Sequence, residues 1–240
     1  MEITYDVRMT PSTPSRTRRP RGSLTPGAIL DAAEAVAVDG FAALTMREVA
    51  ARLGAAPMSL YRYFATKEEL VDALLDRVLG RLEAPVLTDD PVEDLRAYVR
   101  AHRRLLEEHP WAVSVLFTHP TPGPNAVAVG EAMLERLDRV DVSGEPAVAA
   151  FSALLALNYG WSAFSTARDG DGSAPDPAAL VAELRALPPS VFPLTVAVAE
   201  PMSRYGSDAH YELALDLIVA GLAALRPRPA RRPPASSQRR

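Results

Sequence analysis

Residues 44–64, LTMREVAARLGAAPMSLYRYF, carry the most informative pattern in this sequence. Thr45 followed three residues later by Glu48 is a capping-box pattern, which begins a helix. Gly54 then ends that helix after about two turns, and Pro57 can begin another short helix. Two short helices joined by a turn that contains glycine are typical of a helix-turn-helix unit, whose second helix lies in the major groove of DNA.

The second of these helices, predicted over about residues 57–64 and called here the reader segment, is the one that would contact DNA. Leu60 and Phe64 lie one turn apart and would anchor it in the core. Its other large or polar side chains are Met58, Ser59, Tyr61, Arg62 and Tyr63. Hydroxyl and guanidinium groups can donate hydrogen bonds to phosphates or base edges, and a methionine can contact a thymine methyl group. The same unit occurs in many small helical proteins, so a helical interaction module without DNA activity is the alternative.

Helical signals continue on both sides of this stretch. Upstream, Thr25 is predicted to cap a helix over about residues 26–39. Downstream, a second capping box at Thr66 begins a longer helix that continues to about Leu82. We therefore predict an N-terminal three-helix helix-turn-helix domain, extended by this longer helix, over residues 25–82.

The next part of the chain, residues 83–226, is predicted to form a second and entirely helical domain. Its predicted helices cover about residues 91–109, 111–117, 126–137, 147–167, 177–187 and 208–225, and the proline-containing stretch 188–206 is predicted to be irregular. No run of alternating apolar and polar residues indicates a strand. The predicted fold class is therefore all-α.

The two ends of the chain are basic, whereas the body is acidic. Residues 1–24 contain five arginines and two acidic residues, residues 226–240 contain six arginines and no acidic residue, and residues 83–225 contain nine basic and twenty acidic residues. Both ends have too little apolar content to fold alone, so we predict a disordered basic arm over 1–24 and a disordered basic tail over 227–240. This distribution fits a protein that meets nucleic acid at one end, although such tails can equally serve only solubility.

Composition and motifs exclude several classes of protein. The chain has no cysteine, which excludes disulfides, thiolate metal sites and a cysteine nucleophile. It shows neither an apolar run long enough to span a bilayer nor a secretory signal, which predicts a cytoplasmic protein. The common catalytic and nucleotide-binding motifs are missing, so we do not expect an enzyme. His102 and His109 lie seven residues apart and cannot share a metal as an i, i+4 pair would.

Two parts of the chain resemble the TetR (tetracycline-repressor) family of transcriptional regulators. The first part, residues 25–82, resembles its DNA-binding domain through LTMREVA (44–50), Gly54, LYRYF (60–64) and KEEL (67–70). The second part resembles the ligand-binding domain of the tetracycline-repressor branch through HPW (109–111), PGPNA (122–126), Tyr159-Gly160 and YELALD (211–216). Together the two resemblances cover about residues 25–225.

The resemblance implies a homodimer that binds a palindromic DNA operator, as a repressor, and leaves it when a small molecule enters the C-terminal domain. The DNA-binding residues that it implies are Arg47 at a base edge, Met58, Ser59 and Tyr61 in the groove, and Tyr63 and Lys67 on phosphates. Arg62 and Pro57 belong to the same segment. Because members of the family often have a polar residue at the position of Pro57, hydrogen-bonded readout of a base is not expected there.

Lys67 is the only lysine of the chain and lies where the fourth helix is predicted to begin. Its ammonium would add to the positive end of the helix dipole, so that both could hold one phosphate. A solvated lysine in a capping segment is the alternative interpretation.

The predicted effector pocket lies in the second domain and contains no metal or other cofactor. In the tetracycline-repressor branch the drug is bound through magnesium by a histidine and an acidic residue, whereas this chain has Val115 or Leu116 and then Phe164 at those positions, and none of the three can ligate a metal. We therefore expect an apolar pocket for an aromatic or polycyclic compound. Its predicted lining residues are Leu106, Trp111, Val115, Phe117, Met133, Asn158, Trp161 and Phe164. Plain core packing is the alternative role for each of them.

Dimerisation is predicted to involve the helices at about residues 146–167 and 208–225, which would form a four-helix bundle with a second copy. Small residues would let these helices approach closely, and Leu217 would fill the space between them. The small residues are Ala149, Ala150, Ala153, Ala156, Ala214 and Gly221.

Overall fold

The computed structural model describes residues 24–116, 123–169 and 176–225, and the regular structure in these ranges is entirely helical. The all-α prediction is thereby confirmed. The α-helices are α1 (Pro26–Asp39), α2 (Met46–Arg52), α3 (Pro57–Leu60), α4 (Lys67–Leu79), α5 (Pro91–Glu108), α6 (Pro110–Leu116), α7 (Pro124–Arg139), α8 (Gly144–Asp169), α9 (Pro177–Arg185), α10 (Pro193–Ala197), α11 (Ala199–Met202) and α12 (Asp208–Leu222). The predicted arm and tail fall outside the described residues, except for Leu24.

The chain divides into two compact units between Glu69 and Leu70, within α4. In the first unit, local capping sets the helix starts as predicted. The Thr25 hydroxyl accepts a hydrogen bond from the Ala28 N–H at 3.1 Å, and the Thr45 hydroxyl accepts one from the Glu48 N–H at 3.1 Å.

The same capping chemistry begins α4. The Thr66 hydroxyl accepts a hydrogen bond from the Glu69 N–H at 3.0 Å, and the Glu69 carboxylate accepts one from the Ala65 N–H at 2.6 Å. Side chains thus satisfy one N–H of the first turn of α4 and the N–H of Ala65, which precedes the cap. The capping box predicted at Thr66 is confirmed.

The second unit packs α5, α7, α8 and α12 around one large apolar cluster. Buried side chains from each of these helices meet there: Leu95, Tyr98, Val99, Met133, Leu137, Ala147, Ala150, Leu154, Tyr211, Leu215, Val219 and Leu222. A smaller cluster joins the end of α4 to α5, with Trp111 of α6 packed against it. The predicted effector-binding residues that the structure describes lie on helices packed around these two clusters.

Three predictions differ from the structure. The reader segment is helical only from Pro57 to Leu60 and continues through residues 61–63 as a turn. The stretch 188–206 was predicted to be irregular, which is wrong, because Pro193 stands at the first turn of α10, where its missing N–H costs nothing, and α11 follows. Ala150, predicted at the dimer contact, is buried in the large cluster of its own chain.

Candidate functional site

The surface around α2 and the reader segment presents the predicted DNA-binding side chains over a buried base. Leu60 and Phe64 are buried, as their spacing predicts, and Met58 is 73% exposed. The predicted residues that are likewise exposed are Arg47, Pro57, Tyr61, Arg62 and Tyr63, whereas Ser59 and Lys67 are half-buried. The eight predicted side chains therefore lie within residues 47–67, and most of them are accessible to solvent.

Contacts within the first unit orient several of these groups. The Tyr63 hydroxyl donates a hydrogen bond to the Leu24 carbonyl at 2.8 Å. The Arg62 guanidinium lies 6.0 Å from the centre of the Tyr63 ring, and the Lys67 ammonium lies 5.6 Å from the centre of the Phe41 ring. At these distances each cation interacts with a neighbouring aromatic ring, and both groups keep their positive charge.

The two arginines of α2 differ in their partners. Arg52 forms an ion pair with Asp39 at 2.8 Å. Arg47 is exposed, and no residue in the described ranges pairs with its guanidinium. Arg47 is thus the α2 cation that is available to a second molecule.

In the second unit the predicted effector-binding residues do not form a single cluster. Leu106, Val115, Met133 and Asn158 are buried, Trp111 and Trp161 are half-buried, and Phe164 is 42% exposed. Met133 and Trp161 belong to the large apolar cluster, whereas Trp111 packs on the smaller one. Phe117 lies outside the described residues.

Trp161 is held by several contacts that core residues typically make. Its indole N–H donates a hydrogen bond to the Gly206 carbonyl at 3.2 Å. Its ring packs edge-on against Tyr211 and Phe164, with ring centres 5.9 and 6.3 Å apart. The edge-to-face geometry is a favourable one for aromatic pairs.

A buried polar network crosses α5, α8 and α12. The Asn158 amide nitrogen lies 3.0 Å from the Val99 carbonyl and 3.0 Å from His102 Nδ1, and the Tyr211 hydroxyl donates to Asn158 Oδ1 at 2.8 Å. Burial lowers the pKa of His102 to about 4 and raises the pKa of Tyr211. Both rings are therefore neutral at pH 7.

A second polar junction joins α4 to the start of α7. One carboxylate oxygen of Asp76 accepts a hydrogen bond from the Ala126 N–H at 2.9 Å, and the other accepts one from the Asn125 side chain at 2.9 Å. A Cβ atom at Gly123 would lie 2.7 Å from the Asp76 Cβ, closer than packed atoms approach. Asp76 of α4 thus caps the first turn of α7, and the absence of a Cβ atom at Gly123 leaves space for its carboxylate.

Comparison with known proteins identifies the family of the chain. A family model described as "Bacterial regulatory proteins, tetR family" matches residues 29–74, and one described as "Tetracyclin repressor-like, C-terminal domain" matches residues 84–226. The chain belongs to the TetR family. The family assignment made from the sequence is therefore confirmed.

Two relatives that match over most of their own length are a transcriptional regulator and a repressor. An HTH-type transcriptional regulator of Saccharopolyspora erythraea is 34% identical, over 88% of this chain and 89% of its own. The tetracycline repressor protein class A from transposon 1721 in Escherichia coli is 30% identical, over 83% and 88%. The crystal structure of Streptomyces coelicolor ActR in complex with actinorhodin superposes with a TM-score of 0.77 at 27% identity, over 85% of this chain and 98% of that one. The protein is thus a DNA-binding regulator of transcription of the TetR family.

The contacts of two side chains, His102 and Asp76, were not predicted from the sequence of this TetR-family regulator. His102 was considered only as a metal ligand, although its position between Val99 and Leu106 on one face of α5 indicates burial. No local sequence pattern predicts the hydrogen bonds of Asp76, because its partners lie about fifty residues away in the chain. Asn158 was predicted to line the effector pocket, whereas its amide nitrogen contacts the Val99 carbonyl and His102 inside the network.

Proposed function

We propose that the protein is a homodimeric repressor that binds a palindromic operator and is released by a largely apolar, aromatic effector. The observation that carries the proposal is the reader segment, whose Met58, Tyr61 and Arg62 are exposed above the buried Leu60 and Phe64. Such an arrangement suits a segment that enters the major groove while its apolar side anchors it to the domain. Membership of the TetR family supports the same interpretation.

An exposed apolar face on α8 and α12 supports the homodimer. Within the described residues, Gly144–Ser165 is one helical stretch long and apolar enough to cross a bilayer, yet little of it is buried inside the chain. The core helix of a soluble protein passes the same test. On α12, Leu213 and Leu217 are exposed on the side opposite Leu215 and Val219. A second copy of these two helices would cover both apolar faces in a four-helix bundle.

The side chains predicted to line the effector pocket indicate the chemical class of the effector. The predicted lining residues are mostly apolar or aromatic, and Phe164 offers no charge to a ligand. Burying a charged ligand against such side chains without a counter-ion is costly, which favours an uncharged aromatic compound. ActR, a structural relative, is seen in complex with actinorhodin, which makes that compound the first to test.

Asp76 provides a route from the effector to DNA. The α4 helix begins at Lys67, next to the reader segment in the chain, and its Asp76 holds the first turn of α7. A displacement of α7 by an effector would pull α4 through these hydrogen bonds and alter the spacing of the two reader segments in a dimer. A hundredfold loss of operator affinity requires about 2.7 kcal/mol of coupling, within the usual range.

The proposed function is tested by a gel shift with the DNA that flanks the protein's own gene. We expect a specific complex with a palindromic site at nanomolar protein, released by actinorhodin or by a compound from a panel of uncharged aromatics. If no flanking or selected DNA is bound above the level of random sequence, the alternative of a helical interaction module is supported instead.

Deleting residues 1–21 tests the proposed role of the basic arm. The arm carries Arg16, Arg18, Arg19 and Arg21, and the Tyr63 hydrogen bond to Leu24 ties the chain that follows it to the reader segment. Operator affinity is expected to fall for all sequences, and the slope of log K against log salt to flatten by up to about 0.9 per lost phosphate contact. Titrations between low and moderate salt measure both. An unchanged slope would mean that the arm does not touch DNA.

Asp76→Ala is expected to uncouple the effector from DNA. The variant should bind operator as the wild type does, while the effector-induced loss of affinity falls from about a hundredfold to below about tenfold. Gly123→Ala should act alike because its methyl group displaces the Asp76 carboxylate. Glu68→Ala, at an exposed acidic residue of the same helix, is the control. Full release of both Asp76→Ala and Gly123→Ala by effector would show that the signal takes another route.

A further inference from the structure

The hydroxyl of Tyr63 already donates its hydrogen inside the first unit. It lies 2.8 Å from the Leu24 carbonyl, and because a backbone carbonyl can only accept, the hydroxyl is the donor. A phosphate oxygen without a proton is also only an acceptor, so Tyr63 would have to break this bond to donate to a phosphate. The phosphate contact that the TetR resemblance implies for Tyr63 therefore competes with a contact that the chain makes by itself.

This hydrogen bond joins the reader segment to the residue just before the cap of α1. The two residues lie 39 positions apart in the chain. The Thr25 hydroxyl accepts from the Ala28 N–H and fixes the start of α1, while the Leu24 carbonyl lies outside the helix and is held by Tyr63. The point at which the basic arm joins the domain is thus fixed beside the reader segment.

The chain between this point and the arginines of the arm is short. Arg21 precedes Leu24 by three residues, which span at most about 11 Å, and Arg18 precedes it by six, which span at most about 22 Å. The major groove of B-DNA is about 12 Å wide. Arginines tethered at this distance can reach the phosphates along the groove that the reader segment is proposed to enter. An arm without the tether would lose more conformational freedom on binding.

We propose that Tyr63 is a positioning residue for the basic arm. Its hydroxyl fixes Leu24 beside the reader segment, and the arginines of the arm contact phosphates in place of Tyr63. This inference rests on the proposed binding of an operator. The uncharged tyrosine would then influence the salt dependence of DNA binding, which it cannot do through a direct contact, because only charged side chains release counterions from DNA.

Tyr63→Phe removes the hydroxyl and keeps the ring. The side chain is exposed, and the Arg62 guanidinium 6.0 Å from the ring centre retains its aromatic neighbour, so the local fold should stay intact. We expect operator binding to weaken by about two- to tenfold in each half-site. The slope of log K against log salt should flatten by up to about 0.9 for each phosphate contact that the arm loses. Titrations at several salt concentrations measure both.

A double-mutant cycle assigns the effect to the arm. The second change replaces Arg16, Arg18, Arg19 and Arg21 by alanine in the full chain. In that background Tyr63→Phe should change operator affinity by less than about twofold and leave the slope unchanged, because no arginine remains to be positioned. The matched control is Tyr61→Phe in the same segment, where no described residue bonds to the hydroxyl. Its effect should be the same with and without the four arginines.

Two results would overturn the inference. One is a loss of affinity in Tyr63→Phe that is equally large with and without the four arginines, which would mean that the hydroxyl contacts DNA directly. The other is a wild-type salt slope in Tyr63→Phe, which would leave the hydroxyl only a role in stability. The proposed function fails separately, since it is contradicted when the wild type binds no DNA above the level of random sequence.

Discussion

Leu217→Glu is expected to yield a monomer whose operator affinity is lower by more than about a hundredfold. Leu217 is 75% exposed on the outer side of α12 in the single chain. Burial of a leucine contributes about 1.5–3 kcal/mol, and a twofold axis would bury both copies. Glutamate would remove this contribution twice and place two carboxylates in an apolar contact, which costs several kcal/mol more. A monomer then contacts only one half-site.

Light scattering at micromolar protein and a gel shift measure the two consequences of this substitution. Val86→Glu is the matched control, since Val86 is 87% exposed in the connection between α4 and α5 and should leave both mass and affinity unchanged. A dimeric mass for Leu217→Glu would place the interface elsewhere on the surface.

Arg47→Ala is expected to weaken operator binding by a factor between about thirty and about twenty-five thousand. A bidentate contact to a base contributes about 1–3 kcal/mol, and a symmetric dimer would lose two of them. Because the lost contact is to a base and not to a phosphate, discrimination against mutated operators should fall as well, while the salt dependence stays nearly the same.

Arg52→Ala on the same helix provides the control for Arg47. Its guanidinium is already paired with Asp39 on an exposed surface, so its loss should change stability by less than about 1 kcal/mol and leave operator affinity close to that of the wild type. Gel shifts with the wild-type operator and with single base-pair variants distinguish the outcomes. Equal affinities for Arg47→Ala and Arg52→Ala would contradict a base contact at Arg47.

The parts of the fold that the sequence predicted are those set by local chemistry. The caps at Thr25, Thr45 and Thr66 each involve a hydrogen bond between residues three positions apart, so the spacing of residue types is enough to find them. The spacing of Leu60 and Phe64 likewise predicted which side of the reader segment is buried. Its helical length was overestimated, because a turn can bury the same two side chains.

The rest of the site depends on contacts between distant parts of the chain. Asn158 bonds to His102 across 56 residues and to Tyr211 across 53, and no local pattern indicates such pairings. As a result Asn158 was predicted to face a ligand, when its hydrogens are used inside the chain. The junction of Asp76 with Asn125, across 49 residues, was missed for the same reason.

The exposed apolar face of α8 and α12 would couple the folding of the proposed dimer to the encounter of two chains, so that its rate depends on the square of protomer concentration. If two chains must meet to cover that face, the free energy that stabilises each one includes a term in the logarithm of protomer concentration. A cell that makes few copies would then hold a larger fraction of half-assembled chains, which proteases and chaperones remove. The strength of the gene's own promoter would thus set the amount of regulator and also its lifetime.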